Sequence, residues 1–319
     1  MLNLLLVLLG VTLLAIGGEA LIRGALGAAR RLGISPLLSG LLIVGFGTSA
    51  PELVVSVDAA LSERPDIAIG NVVGSNIGNI LLILGICAVI TPLRVRPLAL
   101  RRDAITVVAA SLLFIVLVGG SALVWQDAMI LLASLAAYLV WAYWSETYHG
   151  APAGEVHLAE AKEIPSVPKS ALTIVTAIFV GLLLLIAGSH VLLKGAVGIA
   201  ANLGISEAVI GLTLVAVGTS LPELSISVIA ALRRHADVAV GNILGSNIFN
   251  LLGILGVSAL LQPLPVHARI LQFDQWVMLG SALLLLLFLY TGRCLNRFEG
   301  IMLLAGYGLY LSLSLSVFN

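Results

Sequence analysis

Ten apolar stretches, each about long enough to cross a lipid bilayer, constrain this chain more than any other feature. They lie near 2–22, 36–61, 67–91, 104–124, 127–145, 171–193, 207–232, 238–261, 272–291 and 299–318. About 20 helical residues cross the hydrocarbon core, and a spanning helix satisfies its own backbone polar groups. Composition leaves no soluble alternative. Of 319 residues, 60% are apolar and 10% charged, with a mean hydropathy of +1.14, whereas a soluble domain carries about 25% charged residues. The reading is an all-α polytopic membrane protein of ten transmembrane helices, expected in the prokaryotic plasma (inner) membrane.

The 16 basic and 16 acidic residues cancel, which excludes a basic field for nucleic acid. Cys87 and Cys294 lie far apart, so neither a disulfide framework nor a zinc site is available. No cofactor and no obligate protein partner is indicated. Residues 146–169 form the only long polar stretch. They read as a linker between a first five-helix unit, 1–145, and a second, 170–319. His149 and His157 lie among glutamates there and offer a metal reading, but a water-facing tether accounts for the segment better. Segment one resembles a signal peptide in length, yet no Lys or Arg precedes its apolar run.

The chain also repeats itself. Residues 40–85 align without a gap on 211–256 at a constant offset of 171, with 27 of 46 positions identical. The register continues upstream: Gly17 matches Gly188, Gly24 matches Gly195, and LGIS at 32–35 recurs at 203–206. Segment one is thus the counterpart of segment six and belongs to the fold. Five crossings per unit is an odd number, so the second unit enters from the opposite side, giving two inverted five-helix repeats with a site expected at mid-membrane. With both termini outside, the cytoplasmic loops carry 13 Lys and Arg and the outer loops 3, as the positive-inside rule requires.

The best-matched part of the repeat is polar where lipid demands apolar residues. Segment two carries Gly47-Thr48-Ser49-Ala50-Pro51-Glu52, and segment seven Gly218-Thr219-Ser220-Leu221-Pro222-Glu223. The next segments open with GNVVGSNIGN (70–79) and GNILGSNIFN (241–250). A carboxylate at helix centre costs about 2.5–3.5 kcal/mol on insertion scales. A lone buried Glu can be protonated and hydrogen-bonded, but two at matching positions with matching neighbours point to a shared role. Residues three and four apart share a helix face, so Thr48, Ser49 and Glu52 converge, as do Ser75 and Asn79. Pro51 deprives the carbonyl of Gly47 of its usual partner, and Pro222 does so for Gly218. All these donors are hard oxygens, which disfavours copper and zinc and suits calcium, with its flexible six to eight oxygen ligands, or sodium. Two carboxylates about 8 Å apart repel by roughly 2 kcal/mol at an effective dielectric near 20. Rival cations, or protons, that relieve this repulsion and exclude one another are the physical basis of exchange.

GTSAPE with GNVVGSNIGN, and GTSLPE with GNILGSNIFN, resemble the two alpha-repeats of the sodium/calcium exchanger branch of the calcium/cation antiporter family. The resemblance covers all ten segments. It implies that Thr48, Ser49, Glu52, Ser75 and Asn79, with Thr219, Ser220, Glu223, Ser246 and Asn250, are cation ligands, and that Glu52 and Glu223 bridge calcium. It also implies that segments one and six, with Gly17, Gly24, Gly188 and Gly195, slide across the core during alternating access. One departure matters. Some relatives, the potassium-dependent exchangers among them, have an acid where this chain has Asn250. Amides at both Asn79 and Asn250 disfavour potassium cotransport and leave a formal −2, which calcium neutralises and three sodium ions would take to +1. Proton-coupled members tend to have an acid after their GN motifs; Val72, Val73, Ile243 and Leu244 stand there instead. The resemblance thus implies a secondary antiporter of Ca2+ and Na+, not an enzyme. The alternative is a Ca2+/H+ or other divalent cation/proton exchanger.

Glu19 and His190 occupy equivalent places in segments one and six, with a role in gating or proton sensing set against interfacial positions or plain interhelical hydrogen bonding. Asp58 has Ile229 as its counterpart and reads as a vestibule residue. Asp66 and Asp237 read as helix caps, and Trp125, Trp141, Trp144 and Trp276 as interfacial anchors. Two further classes are weaker. An intramembrane hydrolase with a Glu pair needs no duplicated hydroxyl-and-amide shell, and a channel builds selectivity from rings about an axis.

Overall fold

Where the described residues are continuously apolar, they are helical. The protein is represented by a computed structural model describing residues 2–33, 40–94, 97–148, 168, 170–202, 220–292 and 294–317. Described helices fall on each of the ten expected segments, and seven helical spans are long and apolar enough to cross a membrane. His149, His157, Gly218 and Thr219 lie outside the described residues, as does most of the linker.

Helix α1 is Leu2–Leu32 and α2 is Ala50–Leu61. α3 (Pro65–Gly78) leads through a π-helical turn at Asn79–Leu84 into α4 (Gly85–Ile90). α5 (Pro97–Leu117) and α6 (Trp125–Tyr148) complete the first half. In the second half come α7 (Ala171–Asn202), α8 (Leu221–Leu232) and α9 (Ala236–Ile248). A π-helical turn at Phe249–Ile254 joins α9 to α10 (Leu255–Leu261), followed by α11 (Gln275–Gly292) and α12 (Arg297–Val317).

The expected ends of segments one and six need correction. α1 has 31 residues and α7 has 32. At 1.5 Å per residue each is longer than 45 Å, well beyond a core of about 30 Å. Arg23, Arg30 and Arg31 therefore ride on α1, and Lys194 on α7, rather than on loops. Long basic side chains permit this because their stems lie along apolar surface while the charge reaches out. Arg23 also has a local partner, with NH2 2.7 Å from Glu19 Oε1.

α1 and α7 run antiparallel in close contact. Gly10, Gly17 and Gly24 recur every seven residues on α1, and their repeat mates Gly181, Gly188 and Gly195 do so on α7. A Cβ on Gly17 would come within 2.9 Å of Gly181 O, and one on Gly188 within 2.9 Å of Leu14 N. Small residues let helix backbones meet in this way.

The buried centre is built from α3 and α9, and every residue from Val238 to Ile248 is buried. α2 and α8 end alike: Glu63 and its repeat mate Arg234 take left-handed backbone, at φ 58° and 61°. Arg64 N then donates to Ala59 O, and His235 N to Ala230 O, each at 2.8 Å. That closes both helices with the left-handed turn in which glycine is usual. Asp66 and Asp237 are in first turns rather than at N-caps. Arg64 and His235 hold the cap positions, and their side chains make no cap bond.

Two short antiparallel ladders were not anticipated. Leu93–Arg94 (β1) pairs with Cys294–Leu295 (β4), and Ala122–Leu123 (β2) with Leu264–Pro265 (β3), tying the halves together. Two polar clusters, each around a buried aspartate, were also missed. Asp103 Oδ1 lies 2.6 Å from Arg102 Nε and accepts from Tyr138 OH at 2.9 Å. Its repeat mate Asp274 lies 3.1 Å from Arg269 Nε and accepts from Tyr310 OH, also at 3.1 Å.

Candidate functional site

The segment before α2 is not one helix. A π-helical stretch Gly40–Gly45 and a short turn Phe46–Thr48 end at Ser49, and α2 starts anew at Ala50 with Pro51 in its first turn. Proline suits that position because it has no N–H to lose. The break delivers Thr48 and Ser49 side by side with Glu52, all buried. α8 begins alike after Ser220, with Pro222 and Glu223 in its first turn.

The two motifs interlock. Ser49 Oγ lies 3.0 Å from Glu223 Oε1, and Ser220 Oγ lies 3.1 Å from Glu52 Oε1. Each serine thus reaches the acid of the other half, and a shift of 171 exchanges one contact for the other. Ser220 Oγ also lies 3.4 Å from Ser75 Oγ. Glu52 and Glu223 are each 1% exposed, so the acids share one water-poor cluster.

Gly45 O is a backbone acceptor within the cluster that Pro51 did not point to. It lies 3.0 Å from Ser49 Oγ, 3.3 Å from Thr48 Oγ1 and 2.9 Å from Ser246 Oγ. A Cβ at Gly45 would sit 2.8 Å from Asn242 O and 2.9 Å from Ser246 N; only glycine allows this approach. Since a hydroxyl has one proton, Ser49 donates to Gly45 O or to Glu223. When it turns to Gly45, its lone pairs and the Glu223 carboxylate face each other with no proton between them, an arrangement that a cation could relieve.

Asparagines brace the acids from behind. Asn71 Nδ2 donates to Glu52 O at 3.2 Å and to Ser56 Oγ at 2.9 Å. Asn242 Nδ2 donates to Glu223 O at 3.2 Å and to Ser227 Oγ at 2.8 Å, and Asn242 Oδ1 accepts from Thr48 at 3.1 Å. None of these braces was assigned a role from sequence, although their invariance under the 171 shift was readable there.

Asn79 and Asn250 sit at the two π-helical turns. π-Bulges of this kind are frequent at functional sites. Among the described residues, no hydrogen-bond partner meets the buried oxygens Asn79 Oδ1, Asn250 Oδ1 and Glu223 Oε2. Buried acceptors ordinarily find partners, so this cluster is oxygen-rich beyond what its described donors satisfy. Among the described residues, no three His, Cys, Asp or Glu gather as a metal cluster. Two acids with hydroxyls, amide oxygens and a carbonyl are a donor set for hard cations.

The other singled-out residues lie elsewhere. Gly17, Gly24, Gly188 and Gly195 line the α1–α7 contact rather than the acid cluster. Glu19 Oε2 lies 3.3 Å from Arg233 NH2, linking α1 to the end of α8. His190 and Asp58 are exposed. A cavity of about 340 Å3 runs beside α3, lined by Asp66, Gly70, Gly74, His267, Arg269 and Asp274 among others.

Paired acids and hydroxyls exchanged between two like halves, inside a bundle of apolar helices, define a multi-pass membrane cation antiporter. The sodium/calcium exchanger protein family matches residues 2–144 and 173–316. The chain belongs to that family. It is 39% identical to a putative antiporter, CaxA, of Alkalimonas amylolytica over 305 residues, covering 94% of this chain and 95% of the relative. It is 33% identical to the sodium/calcium exchanger MaX1 of Methanosarcina acetivorans, covering 97% of each. The solved sodium-calcium exchanger NCX_Mj, soaked with Na+ and Ca2+, superposes with a TM-score of 0.82 at 32% identity, covering 98% of each chain. These relatives are exchangers or antiporters, not enzymes.

Proposed function

We propose that this protein exchanges Ca2+ for Na+ across a prokaryotic plasma membrane, at one site shared by its two halves. The observation that carries this reading is the crossed pairing of Ser49 with Glu223 and Ser220 with Glu52 in a single buried cluster. Thr48, Ser49, Glu52, Ser75 and Asn79 are the ligands from one half, and Thr219, Ser220, Glu223, Ser246 and Asn250 those from the other. Glu52 and Glu223 bridge calcium. With both acids ionised the empty site carries −2; calcium brings it to zero and three sodium ions to +1. Each ion relieves the repulsion that the other would relieve, so they occupy the site in turn.

Alternating access follows from the ten helices lying as two inverted units with both termini outside. α1 and α7 glide against the bundle on their glycine contacts at Gly17, Gly24, Gly188 and Gly195. Glu19 and His190, at equivalent places on the two long helices, respond as gates. Glu19 and Arg233 form a contact that this motion makes and breaks. Sodium is preferred over protons because buried, apolar Val72, Val73, Ile243 and Leu244 follow the two GN motifs, with no acid at these positions to carry a proton in addition to Glu52 and Glu223.

Isotopic calcium flux in proteoliposomes, with sodium and pH gradients imposed separately, tests the proposal. An opposing sodium gradient drives saturable calcium uptake and a pH gradient alone does not. Uptake driven by pH alone, or needing no counter-ion, overturns it.

A further inference from the structure

Four buried asparagines form a chain that reaches the site from behind, and only two of them belong to the ligand set. We propose that Asn76 and Asn247 fix the direction of the ligand amides, compelling Asn250 and Asn79 to present oxygen, never nitrogen, to the cation. This rests on the reading of Asn79 and Asn250 as ligands.

Backbone carbonyls can only accept a hydrogen bond. Asn76 Nδ2 lies 3.3 Å from Asn247 O, and Asn247 Nδ2 lies 3.3 Å from Asn76 O. In each amide the NH2 must face the carbonyl, because oxygen there would set two acceptors against each other. Met278 Sδ, 4.0 Å from Asn76 Nδ2, is another acceptor on the same side. The remaining atoms follow by elimination. Asn76 Oδ1 faces Asn250, whose Nδ2 donates to it at 3.1 Å, and Asn247 Oδ1 faces Asn79, whose Nδ2 donates at 3.0 Å. Asn250 and Asn79 are therefore turned with Oδ1 away from this chain, and those two amide oxygens meet no hydrogen-bond partner among the described residues. All four side chains are at most 1% exposed, so water cannot substitute for a missing bond. Asn76 and Asn247 are repeat mates, so each half aims an amide supplied by the other half.

An amide free to flip offers a cation either a ligand or a repelling N–H2. A residue that removes this choice sets affinity without touching the ion. That separates a positioning residue from a plain clamp between α3 and α9, because a carboxylate presents oxygen whichever way it turns.

Calcium KM in proteoliposomes, measured for variants checked for normal insertion and monodisperse elution, decides the matter. Asn250→Ala tests the ligand reading itself: an unchanged KM removes that reading and the proposal with it. Given a raised KM there, Asn76→Ala raises KM by about tenfold, the size expected for one lost interaction. Asn76→Ala with Asn250→Ala is no worse than Asn250→Ala alone, a non-additivity that marks a shared role. Asn76→Ala with Asn250→Asp recovers calcium KM relative to Asn76→Ala. Additive losses, or no recovery with the aspartate, reduce Asn76 to a clamp and overturn the proposal. The mirror set, Asn247→Ala with Asn79→Ala or Asn79→Asp, gives the same readout from the other half and decides the question if an Asn76 variant does not insert.

Discussion

Ser49 of the first half stands 3.0 Å from the Glu223 carboxylate of the second, and Ser220 stands 3.1 Å from Glu52 in return. Neither half holds its own acid by this contact; each depends on the other. The site therefore exists only when the halves are packed, and any motion that separates them also dismantles it.

Glu52→Gln and Glu223→Gln are each expected to abolish exchange while leaving membrane insertion intact. The substitution keeps size and removes the charge that draws a divalent ion. Normal calcium flux in either variant would remove that residue from the ligand set.

Ser49→Ala and Ser220→Ala remove equivalent hydroxyls from equivalent acids. A hydrogen bond to a charged group contributes about 1.5–3 kcal/mol, so calcium affinity should fall by about tenfold or more in each. Isothermal titration on detergent-solubilised protein checks this. A large loss in one with none in the other would show that the two halves do not share the ion equally.

At Gly17 and Gly188 a side chain would press on the neighbouring helix backbone. Gly17→Val and Gly188→Val should each cost about 1–3 kcal/mol by overpacking and slow exchange by forcing α1 and α7 apart. Gly280→Ala is the control, since a Cβ there meets nothing within 4 Å. Equal turnover in all three variants would deny the α1–α7 contact a part in transport.

Glu19→Gln breaks the contact with Arg233, whose side chain is 61% exposed. Exposed ion pairs contribute at most about 1 kcal/mol, so thermal stability should hardly move. Turnover should change, by up to about fivefold for a shift of that size between states. Identical turnover would leave Glu19 without a gating role.

Asp103→Asn should lower the melting temperature more than Asp274→Asn. The Asp103–Arg102 pair is almost fully buried, whereas Arg269 is 32% exposed beside Asp274. Breaking a buried pair costs about 3–5 kcal/mol because the charge left behind is no longer compensated. Thermal unfolding in detergent micelles ranks the two; the reverse order would contradict the burial argument.

The sequence by itself determined where helices form, because apolar length is a property of contiguous residues and a bilayer admits few alternatives. It also marked the polar residues that recur in the two repeats, since the shift of 171 pairs Glu52 with Glu223 and Asn79 with Asn250 before any coordinates are known. Tertiary structure alone decided their partners. That Ser49 meets Glu223, that Gly45 O meets the Ser246 hydroxyl, and that Asn76 and Asn247 stand behind Asn250 and Asn79 are all outcomes of packing between distant segments. The same holds for Arg269, five residues from Asp274, taking the place that Arg102 takes beside Asp103. Hydrophobic length and repetition are written along the chain, but a hydrogen bond across 168 or 174 residues depends on how helices are set against one another, and no local pattern encodes that.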